Sequence, residues 1–228
     1  PSGARRYFEL MSRVDGVLPR HPFIIFRHAQ SPLLDFLNVR YAFSDVPLDA
    51  PWTIVAQAGP ATLYANPEAL PRAFLVYHAQ PVHTREESLA LTAAPDFDPR
   101  QRVILEVATE AEAQTLAAIQ PPLTPGRSAI THYAPGEIAL DVESEAEGIL
   151  VLSESYITGW QATVDGARVP LYPANHAFHA IRVPAGRHSV TFTYAPTSVV
   201  VGAWVSIGCL VALIWLLARA RRAYVAGG

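Results

Sequence analysis

The sequence contains no lysine. All 17 basic residues are Arg, set against 20 acids in 228 residues, for a net charge of −3. A general nucleic-acid binder carries a basic excess, so that class is excluded. A single cysteine, Cys209, excludes an internal disulfide framework and a Cys-based zinc site. Also missing are HExxH, a glycine-rich phosphate loop and a G-x-S-x-G elbow, which leaves zinc-protease, nucleotide-binding and serine-hydrolase readings without support. Charged residues are only 16% of the chain and apolar ones 50%, with a mean hydropathy of +0.18. That balance is far too apolar for disorder and sufficient for one or two domains with real cores.

What is present includes one long apolar run. Residues 199–218 are twenty in number and carry no charge. As a helix rising 1.5 Å per residue they extend about 30 Å, the thickness of a bilayer core. Gly202, Ser206, Gly208 and Cys209 put small side chains among large ones, which helix packing inside a membrane favours, while Trp204 and Trp215 stand near the two ends. Arg219, Arg221 and Arg222 follow at once with no acid among them, and the positive-inside rule puts this tail in the cytoplasm. Residues 1–196 are then expected outside, where 14 Arg face 20 acids for a charge of −6. A translocated segment needs a signal, yet the chain opens on Pro1 without an apolar signal core, so the expectation is the carboxy-terminal piece of a longer membrane protein. Residues 4–11 are expected to end a helix leaving a preceding span.

From residue 129 onward short strand-like runs recur between turn signals, at 129–136, 137–144, 148–156, 159–164, 167–172, 176–183 and 188–196. That spacing predicts an antiparallel β-sandwich-like domain. Asp165-Gly166 predicts a two-residue type I′ hairpin turn, and Pro184-Ala185-Gly186 a second hairpin. Before residue 129 the periods mix. Ser31-Pro32 predicts the cap and first position of a helix, and Gly59-Pro60 a hairpin. Thr84-Arg85-Glu86-Glu87 predicts a capping box, with a strand at 102–108. The expected class is α+β: a mixed α/β extracytoplasmic unit over 1–125, the sandwich-like domain over 126–196, a transmembrane helix over 197–219 and a cytoplasmic tail over 220–228, with residues 121–127 as a linker.

Candidate chemistry is sparse. His176 and His179 invite a metal reading, but three positions apart on a strand they point to opposite faces. Glu86 and Glu87 are explained by helix capping, Glu143, Glu145 and Glu147 by a solvated strand end, and Asp165 by its turn. Trp160, beside Tyr156 and near Tyr172, has the apolar ring face that stacks on a sugar, against the alternative that it fills the core. The planar fork of Arg72 suits a phosphate or a structural carboxylate. Trp160, Tyr156 and Arg72 are therefore the candidate sugar or phosphate contacts. No catalytic residue, cofactor-binding residue or metal ligand is identified.

Tyr64-Ala65-Asn66-Pro67, the run from Ala69 to Phe74, Gly159-Trp160 with Asp165-Gly166, the run from Val183 to His188, and Tyr194-Ala195-Pro196 before an apolar run resemble, in order and spacing, the carboxy-terminal region of the bacterial YfhO-type membrane proteins. Ile157-Thr158 departs from the aromatic and Pro that the family often has before this Gly. The resemblance implies a polytopic protein of the bacterial cytoplasmic membrane, similar to the GT-C glycosyltransferases, that moves a sugar from a polyprenyl-phosphate carrier to a cell-envelope acceptor. It implies upstream transmembrane helices of the same parent chain as partners, with the catalytic carboxylate on an outer loop outside this sequence. The alternative is a non-catalytic, membrane-anchored β-domain that binds envelope glycan or a protein.

Overall fold

The computed structural model describes residues 3–15 and 32–226; the cap expected at Ser31 lies outside them, as do the side chains of Arg219, Arg221 and Arg222. Two helices come first, α1 (Gly3–Asp15) and α2 (Pro32–Phe36). They are followed by β1 (Tyr41–Ser44), β2 (Thr53–Ala58), β3 (Ala61–Ala65), β4 (Ala73–Val76), β5 (Ala79–Val82), α3 (Arg85–Thr92), β6 (Val103–Glu106) and α4 (Glu110–Ala117). The rest is β7 (Arg127–Ala134), β8 (Glu137–Ser144), β9 (Gly148–Leu152), β10 (Trp160–Val164), β11 (Ala167–Val169), β12 (Tyr172–Ala174), β13 (Phe178–Val183), β14 (Gly186–Tyr194) and α5 (Thr197–Ala226). The class is α+β with several antiparallel sheets and one apolar carboxy-terminal helix, as the sequence predicts.

Three sheets are formed, ordered β1-β3-β2, β11-β10-β14-β8-β7 and β4-β9-β13-β12-β6-β5. The five- and six-stranded sheets face each other. In β8 the buried positions alternate, and Ile138, Leu140 and Val142 point into the space between the sheets. Every residue of β9 is buried, because its sheet is covered twice. Leu150 and Leu152 join Ile138, Leu140, Val190 and Phe192 between the sheets, whereas Ile149 and Val151 pack with Leu116 and Ala113 of α4 on the other side. The period-2 alternation of a strand thus serves two cores at once. α1 and α2 add a third cluster, in which Leu10 and Met11 meet Leu33, Phe36 and Phe178.

Local signals explain the well-marked elements. Thr84 caps α3, its hydroxyl accepting from Glu87 N while the Glu87 carboxylate accepts from Thr84 N, the reciprocal box that its sequence predicts. Asp165 (φ 52°) and Gly166 (φ 80°) form the left-handed turn between β10 and β11, and Gly59-Pro60 joins β2 to β3. The Pro184-Ala185-Gly186 turn does not make a hairpin. β13 pairs with β9 and β12, and β14 with β8 and β10, so this turn carries the chain from one sheet to the other. The sequence signal fixes a reversal but not the partner, since an arch between stacked sheets uses the same residues as a hairpin. The linker-like 121–127 stretch joins α4 to β7, and the six-stranded sheet takes β4, β5 and β6 from before it and β9, β12 and β13 from after it.

Residues Thr197–Leu216 of α5 have a mean hydropathy of 2.5 and bury nothing against the rest of the chain. Ser206 Oγ donates to Gly202 O at 2.9 Å, so the hydroxyl is satisfied within the helix, as an apolar surround requires. This stretch is long and apolar enough to cross a bilayer.

Candidate membrane-proximal functional site

Two residues, Ala195 and Pro196, separate β14 from α5, so the strand ends that meet Tyr194 lie beside the start of the apolar helix. Trp160 opens β10 directly opposite Tyr194, and the two rings are 5.6 Å apart. Ala195 N donates to Gly159 O and Tyr194 N to Gly136 O, both at 2.8 Å, fixing both loops to the junction. Gly159, at φ 111°, is required here: a Cβ would stand 3.1 Å from both Pro196 and Tyr194.

Behind Trp160 lies His179, fully buried on β13, its ring 5.8 Å from Trp160 and 5.0 Å from Tyr156. Neither ring nitrogen has a hydrogen bond of good geometry among the described residues. Burial, offset only in part by the Ser155 backbone, lowers its pKa to about 4, so the imidazole is neutral at physiological pH. Tyr156 is half-buried, and burial raises its phenol pKa, with the Arg6 guanidinium 5.1 Å over its ring working the other way. Arg6 of α1 is itself clamped by both carboxylate oxygens of Glu106, at 2.6 and 2.8 Å, and donates to His176 O at 2.9 Å. Trp160 and Tyr156 are thus brought together around His179. Tyr172 is not among them; it packs against the other core, with α4.

Arg72 sits at the same end, just before β4, where it donates to Glu154 Oε2 at 3.1 Å and to Tyr133 Oη at 3.0 Å with its guanidinium 5.2 Å over the Tyr133 ring. Its fork already holds a carboxylate. Tyr133 has a raised pKa, from desolvation first and then from the Glu154 charge, while Arg72 pulls it down. His176 and His179 do not converge. His176 is in a turn with φ 64° and places Nε2 3.2 Å from Glu9 Oε2. Among the described residues no group of three or more potential metal ligands is found.

At the far end of the sandwich an open cleft of about 500 Å³ is lined by Arg127, Asp141, Glu143, Arg187, His188 and Ser189. Glu143 stands between Arg187, at 2.9 Å, and Arg127, and these hydrogen bonds lower its pKa. Asp165 accepts from Ser189 N at 2.9 Å and pairs with His188 Nδ1 at 2.7 Å. Both arginines are therefore engaged, and the cleft presents a charge ladder across three strands, not a free anion site.

Arg6, Glu154 and Tyr133 are members of the membrane-proximal cluster that sequence reasoning missed, and His179 was weighed there only as a metal ligand. Their partners stand 19 to 170 positions away in the chain, and no local spacing marks them.

Residues 108–206 match the family model described as bacterial membrane protein YfhO. Over those residues the chain is similar to the YfhO-type membrane proteins. It takes in α4, all of β7–β14 and the first turns of α5, so Tyr156, Trp160 and the strand-to-helix junction lie inside the YfhO-type region, and Arg72 outside it. No curated protein and no solved structure matches the chain.

Proposed function

We propose that this chain is the extracytoplasmic β-domain and adjoining span of a YfhO-type protein that transfers sugar from a polyprenyl-phosphate carrier to a cell-envelope acceptor. The observation that carries this reading is the placement of Trp160, Tyr156 and the Arg72–Glu154–Tyr133 cluster at the end of the sandwich joined to α5 by two residues. A carrier keeps its polyprenyl chain in lipid, so its sugar meets a domain only at such an end. Trp160, partly buried against the core between the sheets, and the half-buried Tyr156 are aromatic rings of the kind that stack on a pyranose ring. In this reading residues 1–196 are outside, the tail after α5 is cytoplasmic, and the domain positions donor or acceptor while the catalytic carboxylate belongs to an outer loop of the parent protein. α5 packs against other spans of that protein.

The test is transfer by the parent protein in detergent with radiolabelled polyprenyl-phosphate hexoses and an envelope polymer. The reading predicts labelled polymer, and a several-fold higher donor or acceptor KM for Trp160→Ala in a protein that keeps its melting curve. Absence of transfer with every carrier sugar, together with unchanged envelope glycans on gene deletion, contradicts it and favours a non-catalytic β-domain.

A further inference from the structure

The small sheet β1-β3-β2 has one satisfied face and one that is not. Its inner face places Tyr64, 5% exposed, with Trp52 and Leu34 in a closed cluster against α2. On its outer face the register sets Tyr41 opposite Ala65 and Phe43 opposite Leu63, and these two aromatics are 62% and 71% exposed. Val46 beyond β1 and Val55, the extra residue at the bulge in β2, are exposed by 60% and 52%, whereas Ile54 stands opposite Tyr64 and belongs to the other face. A soluble surface seldom gathers bulky apolar groups in this way without an occupant.

The position of this sheet names the occupant. It is fastened just ahead of β4: Leu70 N donates to Asp35 O at 2.9 Å, Asn66 Nδ2 to Asp35 Oδ1 at 2.7 Å, and Ser153 N to Arg72 O at 2.8 Å. β4 starts at the end of its sheet where β9 finishes, and Arg72 bonds there to Tyr133, near the end of β7. That is the end that holds Tyr194, from which three residues reach α5 over at most about 11 Å. Tyr133, Ile157 and Tyr194 are further exposed apolar groups at this end, 36–54% accessible. Outside α5 the only other large exposed apolar groups among the described residues are Phe8, Leu123 and Ile130. The charges around the small sheet, Arg40, Asp45 and Asp49, are exposed and of mixed sign, which gives no preference for anionic lipid.

We infer that the outer face of the β1-β3-β2 sheet is a membrane-docking surface, with Tyr41 and Phe43 resting in the interfacial layer of the bilayer that α5 crosses. Interfacial Tyr and Phe suit this depth, and a second contact beside the span fixes the tilt of the sandwich over the lipid. The inference rests on α5 being a span, and the test separates the two.

Nitroxide labels are placed on the full chain in phosphatidylcholine nanodiscs: at native Cys209, and, with Cys209→Ala, at Tyr41→Cys, Phe43→Cys and Ala185→Cys. All the new positions are exposed, so the labels cost no core packing. Collision rates with oxygen and with a water-soluble nickel complex are then compared. The expected result is an oxygen-to-nickel ratio at 41 and 43 at least threefold above that at 185, with Cys209 higher still. A high ratio at 209 with 41 and 43 equal to 185 overturns the docking surface alone. A low ratio at 209 removes the span and the inference together. Labels at 41 and 43 shielded from both reagents show a protein partner instead and also overturn it.

Discussion

Gly126 stands at the start of β7 where its amide donates to Tyr77 Oη at 2.8 Å, and Tyr77 passes its own proton to Ser144 Oγ at 2.8 Å, whose proton goes to Ala146 O. A Cβ at 126 would lie 2.6 Å from Glu143 O and 2.5 Å from Tyr77 Oη. Because one of these is strand backbone, Gly126→Ala is expected to cost about 1–3 kcal/mol by overpacking, read from urea unfolding. His179 supplies a second test at this scale. Its pKa is lowered in the fold to about 4 from an ordinary 6.5, so the unfolded chain binds the extra proton first and stability falls as pH drops from about 6.5 towards 4. The full loss is of order 3 kcal/mol, and His176, also lowered by burial, acts in the same direction. His179→Phe should flatten this acid limb; an unchanged limb shows that another group titrates. The Asp165–His188 pair has the opposite dependence at its histidine. Raised by the carboxylate, His188 stabilises below 6.5 and its contribution is lost as pH rises through the shifted value, while that of Asp165 is lost in acid. Turn residues such as Asp165 and Gly166 were legible because their conformation is decided within two positions. The environment of His179 was not, being assembled from three separate loops and strands.

At the scale of elements, α1 is held on the six-stranded sheet by the Arg6–Glu106 fork, both side chains only 13–14% exposed, and by Glu9 bridging Arg5, Arg85 and His176. Removing one partner leaves a nearly buried charge alone. Arg6→Ala should therefore cost about 3 kcal/mol, whereas Arg6→Met with Glu106→Leu should cost much less; equal costs would make the fork a plain packing contact. Thr84→Ala is expected to remove about 1 kcal/mol through loss of the α3 cap. α3 was readable from its box, but α4 was not read, although Thr109 caps it by accepting from Glu112 N at 3.2 Å and the Thr-x-x-Glu spacing is the same signal. The missed arch between β13 and β14 has a different origin. Local sequence sets where a chain reverses, and only the two buried faces decide that it changes sheets there.

At the scale of the whole molecule, the class and the apolar helix were legible from period and length, because burial on one face or on all faces writes itself into the order of residues. How the sheets recruit strands was not. β9 lies between β4 and β13, and β6 pairs in parallel with β5 and antiparallel with β12, connections that span most of the chain. Residues 126–196 alone would strip β9 of β4 and of its cover by α4, and such a piece is expected to bind a hydrophobic dye and to melt without a sharp transition. A sharp, reversible melt would show that the sandwich stands alone, as the sequence division at 126 expects. The central claim is that this domain sits on the outer side of a membrane that α5 crosses. It is tested most directly in intact cells with a membrane-impermeant thiol reagent, in a Cys209→Ala background carrying either Ala185→Cys or Val225→Cys. The account predicts labelling at 185 in intact cells and at 225 only after permeabilisation. Labelling at 225 alone in intact cells would invert the molecule, and labelling at both would leave α5 outside the bilayer.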